Sequence, residues 1–134
     1  MTPIDATTAG WMMLAGRILI GMIYLVSGIH KAIWYQKAVD EFNAGGAPFV
    51  AVTLPCTIAL HIAGSICLVL GLYTQLVALA LAVFTLLATL MVHGFWRFEG
   101  EDRLIRSRIF TGNLGIIGGL LYIAVLGPGP TVMG

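Results

Sequence analysis

The chain of 134 residues is 59% hydrophobic and 10% charged, with a mean hydropathy of +0.97. A soluble domain carries about 25% charged residues, so these side chains cannot clothe a water-exposed surface, whereas a bilayer permits an apolar exterior. A net charge of +1 says nothing about partners, and no basic run points to nucleic acid.

A spanning helix needs about 20 mostly apolar residues. Four segments qualify: about Trp11 to Ile33, Phe49 to Leu72, Gln75 to Phe95 and Ile109 to Leu126. The residues before Trp11 include no Lys or Arg, and the first apolar stretch is too long for the core of a signal peptide, so it reads as a retained helix. The sequence therefore predicts one all-α domain over residues 1–134, an integral membrane bundle of four transmembrane helices.

In the first helix Arg17, Gly21, Tyr24, Gly28 and Lys31 recur at alternating four- and three-residue intervals, one stripe down the helix, with Ser27 beside it. Ionisable residues in a span are costly and face the bundle interior. Arg17 reads either as a structural tie to backbone carbonyls or as a ligand-binding cation. The connection from Trp34 to Pro48 is polar and amphipathic, with Lys37, Asp40, Glu41 and Asn43.

In the second helix Thr57, His61, Gly64 and Gly71 share a face, and His61 falls near the bilayer midplane. Such an imidazole is a neutral, hydrogen-bonded core residue, a proton relay, or a ligand to haem or metal. Cys56 and Cys67 lie about three turns apart on the same helix, too far for a disulfide, and read as small packing residues. Tyr73-Thr74 is a short turn, which makes the second and third helices an antiparallel hairpin.

Thr85, Thr89 and His93 repeat every four residues in the third helix. His93 matches His30 in depth, but His61 should lie about 10 Å away from that level, so the three histidines are not expected to share a metal or haem iron. The segment from Trp96 to Arg108 reads as a charged loop holding Arg97, Arg103, Arg106 and Arg108. In the fourth helix Thr111, Gly115, Gly118 and Tyr122 form a stripe, the glycines predict close packing, and Asn113 reads as interhelical glue or a ligand contact. Gly127-Pro128-Gly129-Pro130 ends that helix. Trp11, Trp34, Tyr35, Tyr73 and Trp96 fall at span boundaries, as an interfacial belt.

Every Lys and Arg except Arg17 lies in or beside the first and third loops, which places those loops in the cytoplasm and both termini outside. No nucleophile elbow, phosphate loop or paired-carboxylate site is present. All the acidic residues fall outside the spans, so acid–base chemistry in the bilayer rests on His61 with Arg17 as its electrostatic partner.

Gly16-Arg17, Gly21 and Ser27-Gly28-Ile29-His30-Lys31 resemble the opening "GR…G…SG..K" pattern of the DoxX family. Gly64, Gly71 and Tyr73-Thr74-Gln75 are similar to its second helix and turn, and His93-Gly94-Phe95-Trp96 to the end of its third. Asn113-Leu114, Gly118-Gly119-Leu120-Leu121 and Gly127-Pro128-Gly129 resemble its closing "NL…GGLL…GPG". The family commonly carries Glu at His61, a basic residue at Gln75 and often Lys at Gly112. The resemblance implies a small four-helix protein of the bacterial cytoplasmic (inner) membrane. Some members are the membrane subunit of thiosulfate:quinone oxidoreductases, and others associate with thiol and oxidative-stress proteins.

Three functions follow as alternatives. The first is a redox-linked membrane subunit, with a quinone or other small amphipathic ligand between the helices and a soluble redox partner. Arg17, Tyr24, His61 and Asn113 would contact the ligand, His61 would be the catalytic proton carrier, and Ser27, Lys31 and His93 would supply further polarity. The second is a non-catalytic anchor that docks a soluble partner on Arg97, Arg103, Arg106 and Arg108. The third is a small-solute transporter, which would need a homo-oligomer to form a pore. Whether the chain is an enzyme stays open between them.

Overall fold

A computed structural model describes residues 4–130. The elements in order are α1 (Ala6–Ile33), α2 (Tyr35–Ala44), α3 (Val50–Leu70), α4 (Thr74–Val92), a 3-10 turn (Phe95–Arg97) and α5 (Gly100–Leu126). Four of the helices, α1, α3, α4 and α5, are long and apolar enough to cross a membrane. α1, α3, α4 and α5 alternate in direction. The start of α1, the end of α5 and the α3–α4 turn therefore share one end of the bundle, here the terminal end. α2 and the segment between α4 and α5 share the other, the loop end.

Local signals set the boundaries. Asp5 caps α1 by accepting a hydrogen bond from the Thr8 backbone N–H at 2.7 Å. That bond holds the Asp5 carboxyl below its ordinary pKa. α3 stops at Gly71, whose φ of 79° supplies the left-handed cap, and Leu72 N–H bonds back to the Cys67 carbonyl at 2.8 Å. The chain then re-enters α4 at once, so the expected hairpin is present.

Two connections differ from the sequence reading. Trp34 to Pro48 is mostly the helix α2, which buries Ala38 and Phe42 against Leu54 of α3. A ten-residue amphipathic helix is too short to stand alone, so this packing sustains it. Its end approaches α4 so closely that a Cβ on Gly45 would lie 2.7 Å from the Val92 Cα. The second difference is that the charged loop is largely helical. α5 starts at Gly100, with Glu101 and Asp102 in its first turn, where carboxylates favour the helix dipole. Arg103, Arg106 and Arg108 are thus helical residues at the loop end.

α1 packs along α3, and α4 along α5. Tyr24, Leu68, Ala78, Leu81, Ala82 and Leu120 form the main core. The α1 glycines permit the close approach that the stripe predicts. A Cβ on Gly21 would meet a Val69 methyl at 2.7 Å, and one on Gly28 would meet Ile62 at 2.8 Å. The α5 glycines do not behave this way: Gly112, Gly115 and Gly118 have open space where a Cβ would be, and Gly119 alone of this set faces α1, at Ile20. α1 and α5 touch little beyond that point, which leaves room between them towards the loop end.

Candidate functional site

A cavity of about 330 Å³ occupies this room, walled by all five helices. α1 contributes Tyr24, Ser27 and Lys31, and α2 contributes Glu41 and Phe42. Thr57 and His61 come from α3, Phe84 and Thr85 from α4, and Asn113 from α5, with His93 just after α4. Gly28 lets this site form: a Cβ there would stand 3.1 Å from the His61 Cβ, so a larger residue would push α1 off the wall at the level of the imidazole.

Most polar groups around the cavity have partners inside the protein. The Tyr24 hydroxyl pairs with Thr85 Oγ1 at 2.5 Å. Asn113 Nδ2 donates to Thr89 Oγ1 at 2.9 Å, tying α5 to α4. Lys31 Nζ donates to Ser27 Oγ at 2.6 Å, and Thr57 Oγ1 to the Thr53 carbonyl at 2.7 Å. His61 differs. It is only 5% exposed, and Tyr24 and Phe84 each meet its ring edge-on at 5.1 Å. Neither of its ring nitrogens has a hydrogen-bond partner, and His93 Nδ1 is in the same condition. A buried polar atom left unpaired costs about 1–3 kcal/mol, so such an atom facing a cavity marks a place for a ligand or water.

The sequence joined Arg17 to His61, and the structure separates them. Arg17 is 1% exposed and donates to the carbonyls of Leu68 at 3.1 Å and Val69 at 2.8 Å. It thereby satisfies the C-terminal end of α3, where carbonyls lack helical partners and the dipole favours a cation. It borders a different space of about 230 Å³ near Gly119 and Tyr122, and does not line the His61 cavity. Tyr24, Ser27, Lys31, His61, His93 and Asn113 do share one cavity. Sequence reasoning missed Glu41, Phe42 and Phe84. The amphipathic pattern of Trp34 to Pro48 was the available signal for the first two.

The loop-end arginines divide into two kinds. Arg97 donates to the carbonyls of Gly45 and Met91. Arg106 donates to the Val92 carbonyl at 2.6 Å and lies over the Phe98 ring at 3.9 Å. These two stitch α2, α4 and α5 together. Arg103, which stacks on Phe95, and Arg108 are exposed. Among the described residues no three His, Cys, Asp or Glu side chains converge as a metal site. Cys56 is exposed and Cys67 half-buried, both as free thiols.

The profile of the DoxX family matches residues 12–94. The chain belongs to the DoxX family. Inner membrane protein YqjF of Escherichia coli (strain K12) is 34% identical over 116 residues, which cover 87% of this chain and 84% of that protein. Inner membrane protein YphA of the same strain is 25% identical over 118 residues, 88% of this chain and 84% of that one. ER-derived vesicles protein ERV29 of Saccharomyces cerevisiae (strain ATCC 204508 / S288c) is 26% identical over 120 residues, 90% of this chain but 32% of its own length. No solved structure matches the chain. With four apolar helices and these relatives, the DoxX protein is a multi-pass protein of the inner membrane. The profile match spans α1 to the end of α4, so it takes in His61, Lys31 and His93 but not Asn113.

Proposed function

We propose that this DoxX-family protein binds a small amphipathic ligand of the quinone class in the His61 cavity, as the membrane subunit of a redox-linked system. The observation that carries the reading is His61 itself, a buried imidazole with both nitrogens unpaired against the cavity. A neutral imidazole holds one N–H donor and one acceptor nitrogen. It can donate to a quinone carbonyl and accept from the hydroxyl of the reduced ring, so one side chain serves both redox states. Tyr24, Phe84 and Phe42 line the same space with aromatic edges and faces suited to a flat ring. A volume of about 330 Å³ lies at the small end of ligand pockets, typically about 300–1,000 Å³. Asn113 and His93 offer further polar contacts on the loop-end side.

In this reading the loop end faces the cytoplasm and both termini lie outside. Every Lys and Arg except Arg17 lies towards the loop end, which supports that orientation. A soluble redox partner would dock there on exposed Arg103 and Arg108. Those two residues also favour the anchor reading, but Arg97 and Arg106 are already engaged internally. The test is thermal unfolding of the purified protein with a tail-less benzoquinone. The quinone raises the midpoint of the wild type, and His61→Ala loses the rise. Equal rises in both proteins would remove His61 from the site.

A further inference from the structure

The His61 cavity adjoins a second space. An open groove of about 900 Å³ runs between α1 and α2 on the outside of the bundle. Ile23, Ser27, Lys31 and Glu41 line both the groove and the cavity. These shared side chains form the partition, and its polar part is Lys31, bonded to Ser27 at 2.6 Å, together with Glu41. Lys carries its charge on a flexible four-carbon stem, so rotation of Lys31 away from Ser27 widens the passage without moving a helix.

The groove reaches lipid depth. Met22 is 53% exposed and Val26 is 44% exposed, and both belong to the second half of the α1 span. Its other end, at Trp34 and Lys37, lies at the loop end, where aromatic and basic residues suit the headgroup level. At about 330 Å³ the cavity is far smaller than the groove of about 900 Å³, so the room for a long substituent lies in the groove.

We infer that the ligand carries a long apolar tail and enters sideways from the bilayer, its ring passing Lys31 to His61 while its tail stays in the α1–α2 groove. This deepens the quinone-class reading and rests on it. The ligand class is thereby narrowed from any small amphipathic molecule to a lipid-phase one. The bilayer supplies it, and no path from water is needed.

The experiment uses the full chain in phosphatidylcholine nanodiscs with two probes, a methoxy-substituted benzoquinone without a tail and the same ring with a long alkyl tail. Val26→Trp fills the groove from a lipid-facing position, and Met22→Trp does the same one turn earlier. Binding is read by native mass spectrometry and thermal shift. Both variants should weaken the tailed quinone about tenfold, the effect of losing contact with a few methylene groups, and leave the tail-less one within about twofold. Unchanged binding of the tailed quinone in both variants overturns the inference and leaves the groove to bilayer lipid. Equal weakening of both probes also overturns it. If the tail-less ring fails to bind the wild type, or binds His61→Ala as well as wild type, the underlying site assignment falls, and this inference falls with it.

Discussion

Arg17 and His61 are both buried polar residues in the interior of the same bundle, and their surroundings are opposite. At the terminal end the guanidinium closes on the last carbonyls of α3. Nearer the loop end the imidazole stands edge-on between two aromatic rings with both nitrogens unpaired. Burial alone does not distinguish a structural tie from a site. What distinguishes them is whether the protein completes the hydrogen bonds itself. The chain completes the hydrogen bonds of Arg17 to the α3 carbonyls and leaves those of His61 open.

The sharpest way to break this comparison is at Arg17. Arg17→Ala leaves the Leu68 and Val69 carbonyls unpaired and opens a void, so unfolding in detergent should become easier by about 3 kcal/mol. The quinone Kd of the folded fraction should not move, because Arg17 lies outside the cavity. A loss of binding without loss of stability would return Arg17 to the ligand.

A smaller effect separates the two sets of glycines. Gly28→Ala forces a methyl within 2.8 Å of Ile62 and should destabilise by about 2 kcal/mol. Gly115→Ala meets no atom within 4 Å and should be neutral or stabilise by up to about 1 kcal/mol through helix propensity. Equal destabilisation by both would mean that the α5 face is packed against another chain. The smallest effect concerns His61. His61→Leu replaces two unpaired nitrogens with carbon at similar volume, so the unliganded protein should keep its stability or gain about 1 kcal/mol. A loss of several kcal/mol in thermal or denaturant unfolding would make His61 a structural residue.

The spans were legible because about 20 apolar residues in a row admit few alternatives. The α1 stripe was also legible, since its intervals put Gly21, Tyr24 and Gly28 on the buried face. The identical logic failed on α5. Helical spacing defines a face but not its neighbour, and among the described residues nothing comes within 4 Å of where a Cβ on Gly112, Gly115 or Gly118 would stand. α2 was hidden for another reason. A short amphipathic segment is helical only when Phe42 and Ala38 find Leu54, which is tertiary information. With α2 unread, Glu41 and Phe42 could not be placed at the cavity. The pairing of Arg17 with His61 failed because a stripe down one helix runs its whole length, whereas a cavity occupies only part of it.

The acceptors of Arg17 lie 51 and 52 residues further along the chain, at the end of α3, the next spanning helix. During synthesis Arg17 is therefore made well before those carbonyls. Until α3 packs beside α1, the cation can be solvated only by stretching towards the headgroups at the terminal end. Only when the last turn of α3 arrives can the guanidinium be drawn inward. The pairing of α1 with α3 is thus the assembly step on which the burial of this charge depends, and the closure of Arg17 on Leu68 and Val69 completes it.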